Sequence, residues 1–347
     1  MAIVQHLVVD EYGAFIGKHS GRLQVMRGGE GTPSERLLQE APLLHLENVL
    51  VSGRGISLSA DAIEACTKEG IPIHFVDWRG RPYASLYAAG LTGTVLTRRE
   101  QLLAYDDARG LQLAIAFAQG KIRNQAGFLR YMAKYREESA PELFRELRLC
   151  ADEVRDHLEE LRHLDGHVID EARGQILSSE GRAAQKYWGA LKQVLPERYG
   201  WPGRRGRGAK DAINSALNYG YGILYGQIER ALVLAGLDPY GGFIHADRPG
   251  KPSLVFDLIE EFRQVVVDRT VVGMANKKMT FTLDDKGLLT KETREVLADK
   301  VLARLEAAER YERKRQPLRA IIQSQARHIA TFVRGDREAY DPFIARW

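Results

Sequence analysis

Residues 95–128 read VLTRREQLLAYDDARGLQLAIAFAQGKIRNQAGF. Leu102, Leu103, Leu111, Ile115, Ile122 and Phe128 recur at the three- to four-residue spacing of amphipathic helices, which a strand with its period of two does not match. Similar spacing returns through Tyr311–Val333. One region after residue 95 breaks it, Pro196–Gly208, where P-E-R-Y-G-W-P-G-R-R-G-R-G mixes proline with glycine. Everything downstream of about residue 95 therefore reads as helical.

Upstream the grammar is different. His6–Val9, Ala14–Ile16, Arg22–Met26, Asn48–Val51, Ile56–Leu58, Ile71–Val76 and Tyr83–Leu86 are short β-rich runs. Turn signals such as R-G-G-E-G and D-W-R-G-R-P separate them. One helix interrupts, with Ser59 as N-cap of Ala60–Glu69 and Gly70 as its stop. Many strands with little helix suggest a small antiparallel sandwich. The expected class is α+β and multidomain: an N-terminal β-sandwich over residues 1–90, then a larger all-α-helical domain over 91–347. No internal repeat of roughly 20–50 residues is visible.

The 347 residues suffice for two cores, and 44% hydrophobic with 28% charged residues is a globular composition. No apolar run reaches the roughly 18–20 residues that span a bilayer, and the first residues lack the pattern of a secretory signal. Only Cys66 and Cys150 occur, so a disulfide framework or structural zinc site is not expected, and a reducing cytoplasm is the expected compartment. The net charge is +4, unevenly spread. Residues 1–90 carry 8 Lys/Arg against 10 Asp/Glu, leaving 42 against 36 for the remainder. A polyanion would dock on the second part.

That part also holds a widely separated acidic–histidine set. Glu180 lies in S-S-E-G-R-A-A-Q-K-Y-W, His245 in G-G-F-I-H, and Asp257 and Glu260 in S-L-V-F-D-L-I-E-E-F-R. Carboxylates with one imidazole make a site for a hard cation next to a phosphate, which is the equipment of metal-assisted phosphodiester chemistry. Each residue has a plainer reading. In the last segment Leu254, Leu258, Phe262 and Val265 mark one apolar face, so Asp257, Glu260 and Glu261 on the other face read alone as a solvated acidic surface. Arg263 stands where it neutralises part of that charge. His245 follows an apolar pair, as buried histidines usually do, and Glu180 follows two serines near an expected helix start, where the dipole favours an acid.

A rival metal set is His157, His163 and His167 with Asp165 and Asp170. His163 and His167 have helical i,i+4 spacing, but the H-E-x-x-H arrangement is missing and Gly166 weakens the helix. Two basic runs complete the inventory. Arg204, Arg205 and Arg207 with Lys210 form a mobile, glycine-loosened loop beside Trp201, suited to phosphate, whereas Arg310–Arg319 reads as a solvated helix end.

Taken in order, these segments resemble the CRISPR-associated adaptation integrases, also called the CRISPR-associated endonucleases of spacer acquisition. The likeness covers nearly the whole chain. It rests on Glu180, Gly181, Ala183, Ala184, Tyr187 and Trp188; on Asp211, Asn214, Tyr221, Leu224 and Tyr225; on Gly236–Pro239 with Gly242–His245; and on Ser253, Leu254, Asp257, Leu258, Glu260, Phe262 and Arg263. Arg98 with Gln101, and Lys121 with Asn124 and Gln125, add to it.

The resemblance implies metal ligation by Glu180, His245 and Glu260, with Asp257 a further acid near the ion. Whether Asp257 or Glu260 bonds the ion directly is open at this level. It also implies Mg²⁺ or Mn²⁺, a homodimer formed through the N-terminal domain, and a small ferredoxin-like partner in a heterohexameric complex. The implied reaction is transesterification, with the 3′-hydroxyl of a protospacer duplex attacking a phosphodiester at the CRISPR repeat, and DNA cleavage a related activity. The residues accord with this, because no Ser–His–Asp or Cys–His arrangement is evident and none is needed when the nucleophile belongs to the substrate. A stand-alone nuclease on branched or single-stranded nucleic acid would use the same ligands with water. A third possibility is a DNA-binding scaffold in which the acidic set is structural.

Overall fold

Strand and helix segregate along the chain, which divides into two units, Met1–Leu91 and Thr92–Trp347. The computed structural model describes residues 6–27, 36–46, 48–77, 82–86, 95–164, 166–206 and 208–347. In the first unit the strands are β1 (His6–Val9), β2 (Ala14–His19), β3 (Arg22–Arg27), β4 (Arg36–Pro42), β5 (Asn48–Val51), β6 (Ser57–Leu58), β7 (Ile73–Val76) and β8 (Pro82–Leu86), with helix α1 (Ala60–Lys68). They form two four-stranded sheets, ordered β1-β5-β7-β8 and β4-β3-β2-β6. Leu7, Val9, Val49, Val51 and Ile73 of one sheet and Ala14, Ile16, Leu23 and Val25 of the other share a single core with Ala62 and Cys66 of α1.

The sandwich is mixed rather than antiparallel. β1 pairs parallel with β5, β5 with β7, and β2 with β6. A parallel return needs a crossover longer than a turn, and α1 supplies one between β5 and β7. Its start is as read from the sequence: Ser59 accepts the Ala62 amide at 3.1 Å, and Gly70 takes the left-handed conformation after its end (φ 68°). β4 is an additional strand. It runs along a sheet edge with only Ala41 buried, and its sequence R-L-L-Q-E-A-P lacks the apolar–polar alternation of a half-buried strand. β7 begins later than expected because Pro72 has no amide to give to a ladder.

In the second unit the helices are α2 (Val95–Ala104), α3 (Ala108–Lys134), α4 (Pro141–Glu160), α5 (Ile169–Val194), α6 (Ala212–Leu234), α7 (Ser253–Ile259), α8 (Arg269–Asn276), α9 (Lys291–Glu306) and α10 (Leu318–Val333). Asp107 caps α3 through the Arg109 amide at 2.8 Å, and Asp211 caps α6 through the Asn214 amide at 2.9 Å. The stretch from α7 to α8 departs most from a simple helix. A turn at residues 260–262 and a π-helical segment, Gln264–Asp268, separate the two helices. Nearly every residue here is buried, acids included: Asp257, Glu260, Glu261 and Asp268 are at most 2% exposed. The solvated acidic face expected from the periodicity does not exist.

The helical reading of Tyr311–Val333, and of Arg310–Arg319 as a helix end, also needs correction. Residues 308–317 form a two-stranded hairpin, β9 (Ala308–Tyr311) antiparallel to β10 (Lys314–Pro317), and α10 starts only after Pro317. Proline fixes φ for a helix start but has no amide to donate, so the strand ends and the helix begins at this residue.

Residues 340–347 lie along α3 without regular structure. Asn124 of α3 donates to Phe343 O at 2.8 Å and accepts from Ala345 N at 2.9 Å. The flanking glycines make room: a Cβ on Gly120 would come within 2.9 Å of Pro342, and one on Gly127 within 2.3 Å of the Trp347 indole. Gly120, Asn124 and Gly127 follow the i, i+4, i+7 stripe of one helix face. An interior glycine costs a helix about 1 kcal/mol relative to alanine, so close approach is the reason for both. Gly189 of α5, in contrast, faces open space. Gly189→Ala is therefore expected to raise the unfolding free energy by up to about 1 kcal/mol. Gly127→Ala is expected to lower it by roughly 1–3 kcal/mol through overpacking. Urea denaturation followed by tryptophan fluorescence measures both, and equal shifts of the same sign would refute the seating of Trp347.

Candidate functional site

Three elements converge on one buried ammonium. Lys121, on α3, bonds Glu180 of α5 and lies 2.9 Å from Glu260 Oε2 just past α7. Arg263 approaches the other Glu260 oxygen at 3.3 Å. Burial works against the Lys121 charge, but Glu180 and then Glu260 overcome it, so Lys121 keeps its proton more firmly than an ordinary lysine. Burial likewise pushes the Glu260 carboxyl up, and Arg263, Lys121 and His245 together bring it below the usual carboxylate range. Two carboxylates and two cations leave the cluster neutral, which is how four charges tolerate a site with little water. The second Glu180 oxygen is nevertheless buried without a hydrogen-bond partner.

Asp257 has a different task. It is fully buried, and its Oδ2 accepts the amides of Phe243 at 2.6 Å and Ile244 at 3.1 Å. Its Oδ1 accepts the His245 amide at 3.0 Å and meets His245 Nδ1 at 2.7 Å. A carboxylate only accepts, so Nδ1 carries a proton, and in the neutral tautomer this selects it is Nε2 that presents a lone pair. Asp257 thus folds residues 243–245 around itself and sets the imidazole tautomer, the support that metal-ligating histidines generally have. The four expected residues are therefore brought into two linked pairs: Glu180 with Glu260 through Lys121, and His245 with Asp257 behind it.

The loop carrying His245 is stapled from below. Gln101 of α2 accepts the Asp238 amide and donates to Asp238 O and Gly241 O, all at 2.7–2.8 Å. Arg173 of α5 donates to Phe243 O at 3.2 Å. A Cβ on Gly242 would come within 2.5 Å of Ser253, so only glycine lets the loop pass the start of α7.

A second buried acid joins the helices behind the cluster. Asp268 accepts the hydroxyls of Tyr187 (α5), at 2.6 Å, and Tyr221 (α6). Burial raises its pKa to about 6 even against these donors. Arg263 stacks 4.9 Å over Tyr221, and Arg204 stacks on the same ring at 5.3 Å and on Trp188 at 5.8 Å. Arg204 also bonds Asn218 at 2.8 Å and Asn214 at 3.2 Å. Around this guanidinium the basic loop is clamped, contrary to the mobile loop expected from its glycines. Arg205 and Lys210 are exposed, and Arg207 lies outside the described residues.

The rival histidines do not assemble. His157 pairs with Glu160 at 2.8 Å, while His163 and His167 are exposed on the connection between α4 and α5, where no helix holds them at i,i+4; Asp165 lies outside the described residues. Asp170 is engaged by Tyr105 and Arg173. Among the described residues no three His, Cys, Asp or Glu side chains converge to hold an ion as they stand. In the candidate set the Lys121 ammonium takes the place between Glu180 and Glu260. Asp268 is the site residue that no sequence motif singled out; Lys121, Tyr187 and Tyr221 stood among the motif residues but with no role assigned to them.

The family model described as CRISPR associated protein Cas1 matches residues 7–302. The chain belongs to the Cas1 family. The CRISPR-associated endonuclease Cas1 1 of Archaeoglobus fulgidus is 37% identical over 352 residues, covering 98% of this chain and 99% of that one. Among solved structures, a casposase bound to integration product superposes with a TM-score of 0.82 at 21% identity, covering 97% of this chain and 93% of that one. A Cas6-RT-Cas1–Cas2 complex gives 0.77 at 19% identity over 99% of this chain and 37% of that one. At these identities both structures speak for the fold: a strand-rich mixed-sheet region followed by a helical one. No described helix of this Cas1 is long and apolar enough to cross a membrane.

Asp257→Asn is expected to turn an amide NH₂ toward buried donors, cost roughly 1–3 kcal/mol of stability, and release the His245 tautomer. Nitrogen-15 chemical shifts of the imidazole read the tautomer, and an unchanged Nδ1–H form would refute the positioning role.

Proposed function

We propose that this Cas1 is the metal-dependent DNA-cleaving and DNA-joining subunit of CRISPR spacer acquisition. The observation that carries the reading is the Lys121-bridged pair of Glu180 and Glu260 beside an imidazole whose Nε2 is left free by Asp257. A cation already sits between the two carboxylates, and one buried Glu180 oxygen lacks a donor. Two carboxylates and an imidazole suit Mn²⁺ and accommodate Mg²⁺. Glu180, Glu260 and His245 are the residues that would hold the ion, with Asp257 supporting His245 from behind rather than bonding it. When bound, a divalent cation there would activate an attacking hydroxyl and stabilise charge on the phosphate.

The remaining roles belong to the protein. Arg263 keeps Glu260 ionised, and Asp257 holds the His245 ring with Nδ1 turned toward itself and Nε2 turned away. The Asp268–Tyr187–Tyr221 set holds α5 and α6 against the π-helical segment, so that Glu180 and Glu260 keep their separation. Arg204 anchors the loop that presents Arg205 and Lys210 to a phosphate backbone.

The named activities of relatives favour DNA. The Archaeoglobus relative is named an endonuclease, the casposase was captured on an integration product, and a further relative sits in a complex with Cas2. By extension, the substrates are a protospacer duplex whose 3′-hydroxyl attacks a phosphodiester at the CRISPR repeat. The protein would act as a homodimer through its strand-rich unit, with a small ferredoxin-like partner, in the cytoplasm. A stand-alone nuclease is the second reading, favoured only by the site's indifference to whether water or a 3′-hydroxyl attacks.

Strand transfer from a protospacer duplex into a supercoiled repeat-bearing plasmid separates the two, since cleavage without joined products leaves only the nuclease. Glu180→Gln and His245→Ala are each expected to lower joining by roughly 10²–10³-fold in Mn²⁺ with the fold intact. Full activity in both would exclude the metal site. Arg205→Gln with Lys210→Gln is expected to weaken DNA binding and to shrink the slope of log K against log salt by up to about 1.8, about 0.9 per lost phosphate contact. An unchanged slope would remove this loop from the interface.

A further inference from the structure

The β9–β10 hairpin has a composition that its own fold does not explain. Residues 310–315 read R-Y-E-R-K-R, four cations against one carboxylate. Arg310, Arg313, Lys314 and Arg315 are all exposed, and none has a carboxylate partner among the described residues. The pairing register sets Arg310 directly opposite Arg315. Like charges facing each other across two strands weaken a hairpin, and a stabilising design would place a carboxylate at one of the positions.

The turn adds a second cost. It has two residues, Glu312 and Arg313, and both are left-handed, with φ of 43° and 66°. Two-residue hairpin loops of this kind favour asparagine or glycine, which adopt positive φ cheaply; here the tip carries charge instead. The base is nonetheless fixed. Tyr311 donates to Gln325 of α10 at 2.8 Å, and Glu309 is held by Arg304. Among the described residues Arg315 bonds only a backbone oxygen, Ala308 O at 3.3 Å. A rigid base therefore holds out a strained, self-repelling tip.

We propose that the β9–β10 hairpin is a second DNA-docking element, which lays Arg310, Arg315, Arg313 and Lys314 on the phosphate backbone of a duplex. A polyanion removes the repulsion that the fold leaves in place, and the major groove of B-form DNA admits a two-stranded ribbon of this width. The proposal rests on the DNA-directed function above. It does not involve the Glu180–Glu260 site.

The experiment uses the full-length chain, with a fluorescent duplex titrated across a salt series. Arg310→Gln with Arg315→Gln is expected to weaken binding about tenfold or more at low salt and to lower the salt slope by about 1.8. Arg315→Glu guards against a misfolded variant. It sets opposite charges across the pair, so the melting temperature is expected to hold or rise while duplex affinity falls. Loss of affinity with a held melting temperature supports the assignment. Unchanged affinity and slope in both variants overturn it and leave the enzymatic reading untouched. A native protein that binds duplex with this slope but neither cuts nor joins it refutes the enzymatic reading and leaves the hairpin assignment standing.

Discussion

A single ammonium ties the helical unit together. Lys121 is the point at which α3, α5 and the end of α7 meet, and it does so by satisfying two buried glutamates. Stranding a carboxylate away from water without a partner costs several kcal/mol, so removal of this lysine charge would leave the architecture around it untenable. The same problem recurs for each buried acid nearby and is solved differently each time. Asp257 uses three backbone amides and an imidazole, Asp268 two tyrosine hydroxyls, and Glu261 the Tyr340 hydroxyl, Gln325 and the Phe343 amide. Only Glu180 and Glu260 are answered by an ammonium side chain. They are the acids whose partner is exchangeable, which suits a place where one cation gives way to another.

Periodicity was legible where one face is dry and the other wet. The strand-to-helix change near residue 95 and the capped helix after Ser59 could both be read directly, because alternation and caps are local. The region 253–276 defeated the same method. Its apolar stripe was real, yet its acids were buried too, and no local pattern distinguishes a carboxylate in water from one folded around three amides. Arg310–Arg319 was misread for a related reason. Its charges are compatible with a solvated helix end, and the turn that makes it a hairpin uses residues that rarely take positive φ. The parallel strand pairs were hidden because pairing partners lie dozens of residues apart.

At the candidate site, the sequence drew attention to residues but not to their contacts. The order of motifs pointed to Glu180, His245, Asp257 and Glu260. Geometry then divided them, with Asp257 committed on both oxygens and Glu180 left with one idle. Arg204 shows the reverse limit. Glycines around it suggested freedom, but Asn214, Asn218 and two aromatic rings fix it. Glycine here serves the backbone path rather than motion, as Gly242 does beneath His245.

The contacts of residues 340–347 bear on the order in which the helical unit assembles. Asn124 binds Phe343 and Ala345 across 219 and 221 residues of chain, and Glu261 binds Phe343 across 82. Loops that long close late, because their entropy must be overcome before the contact rewards it. On a ribosome, α3 and the turn bearing Glu260 and Glu261 are made long before the residues that lock them together. The groove between Gly120 and Gly127 stays open until residues 340–347 arrive. The face of α3 that carries Asn124 would thus be covered only after residues 340–347 have been made.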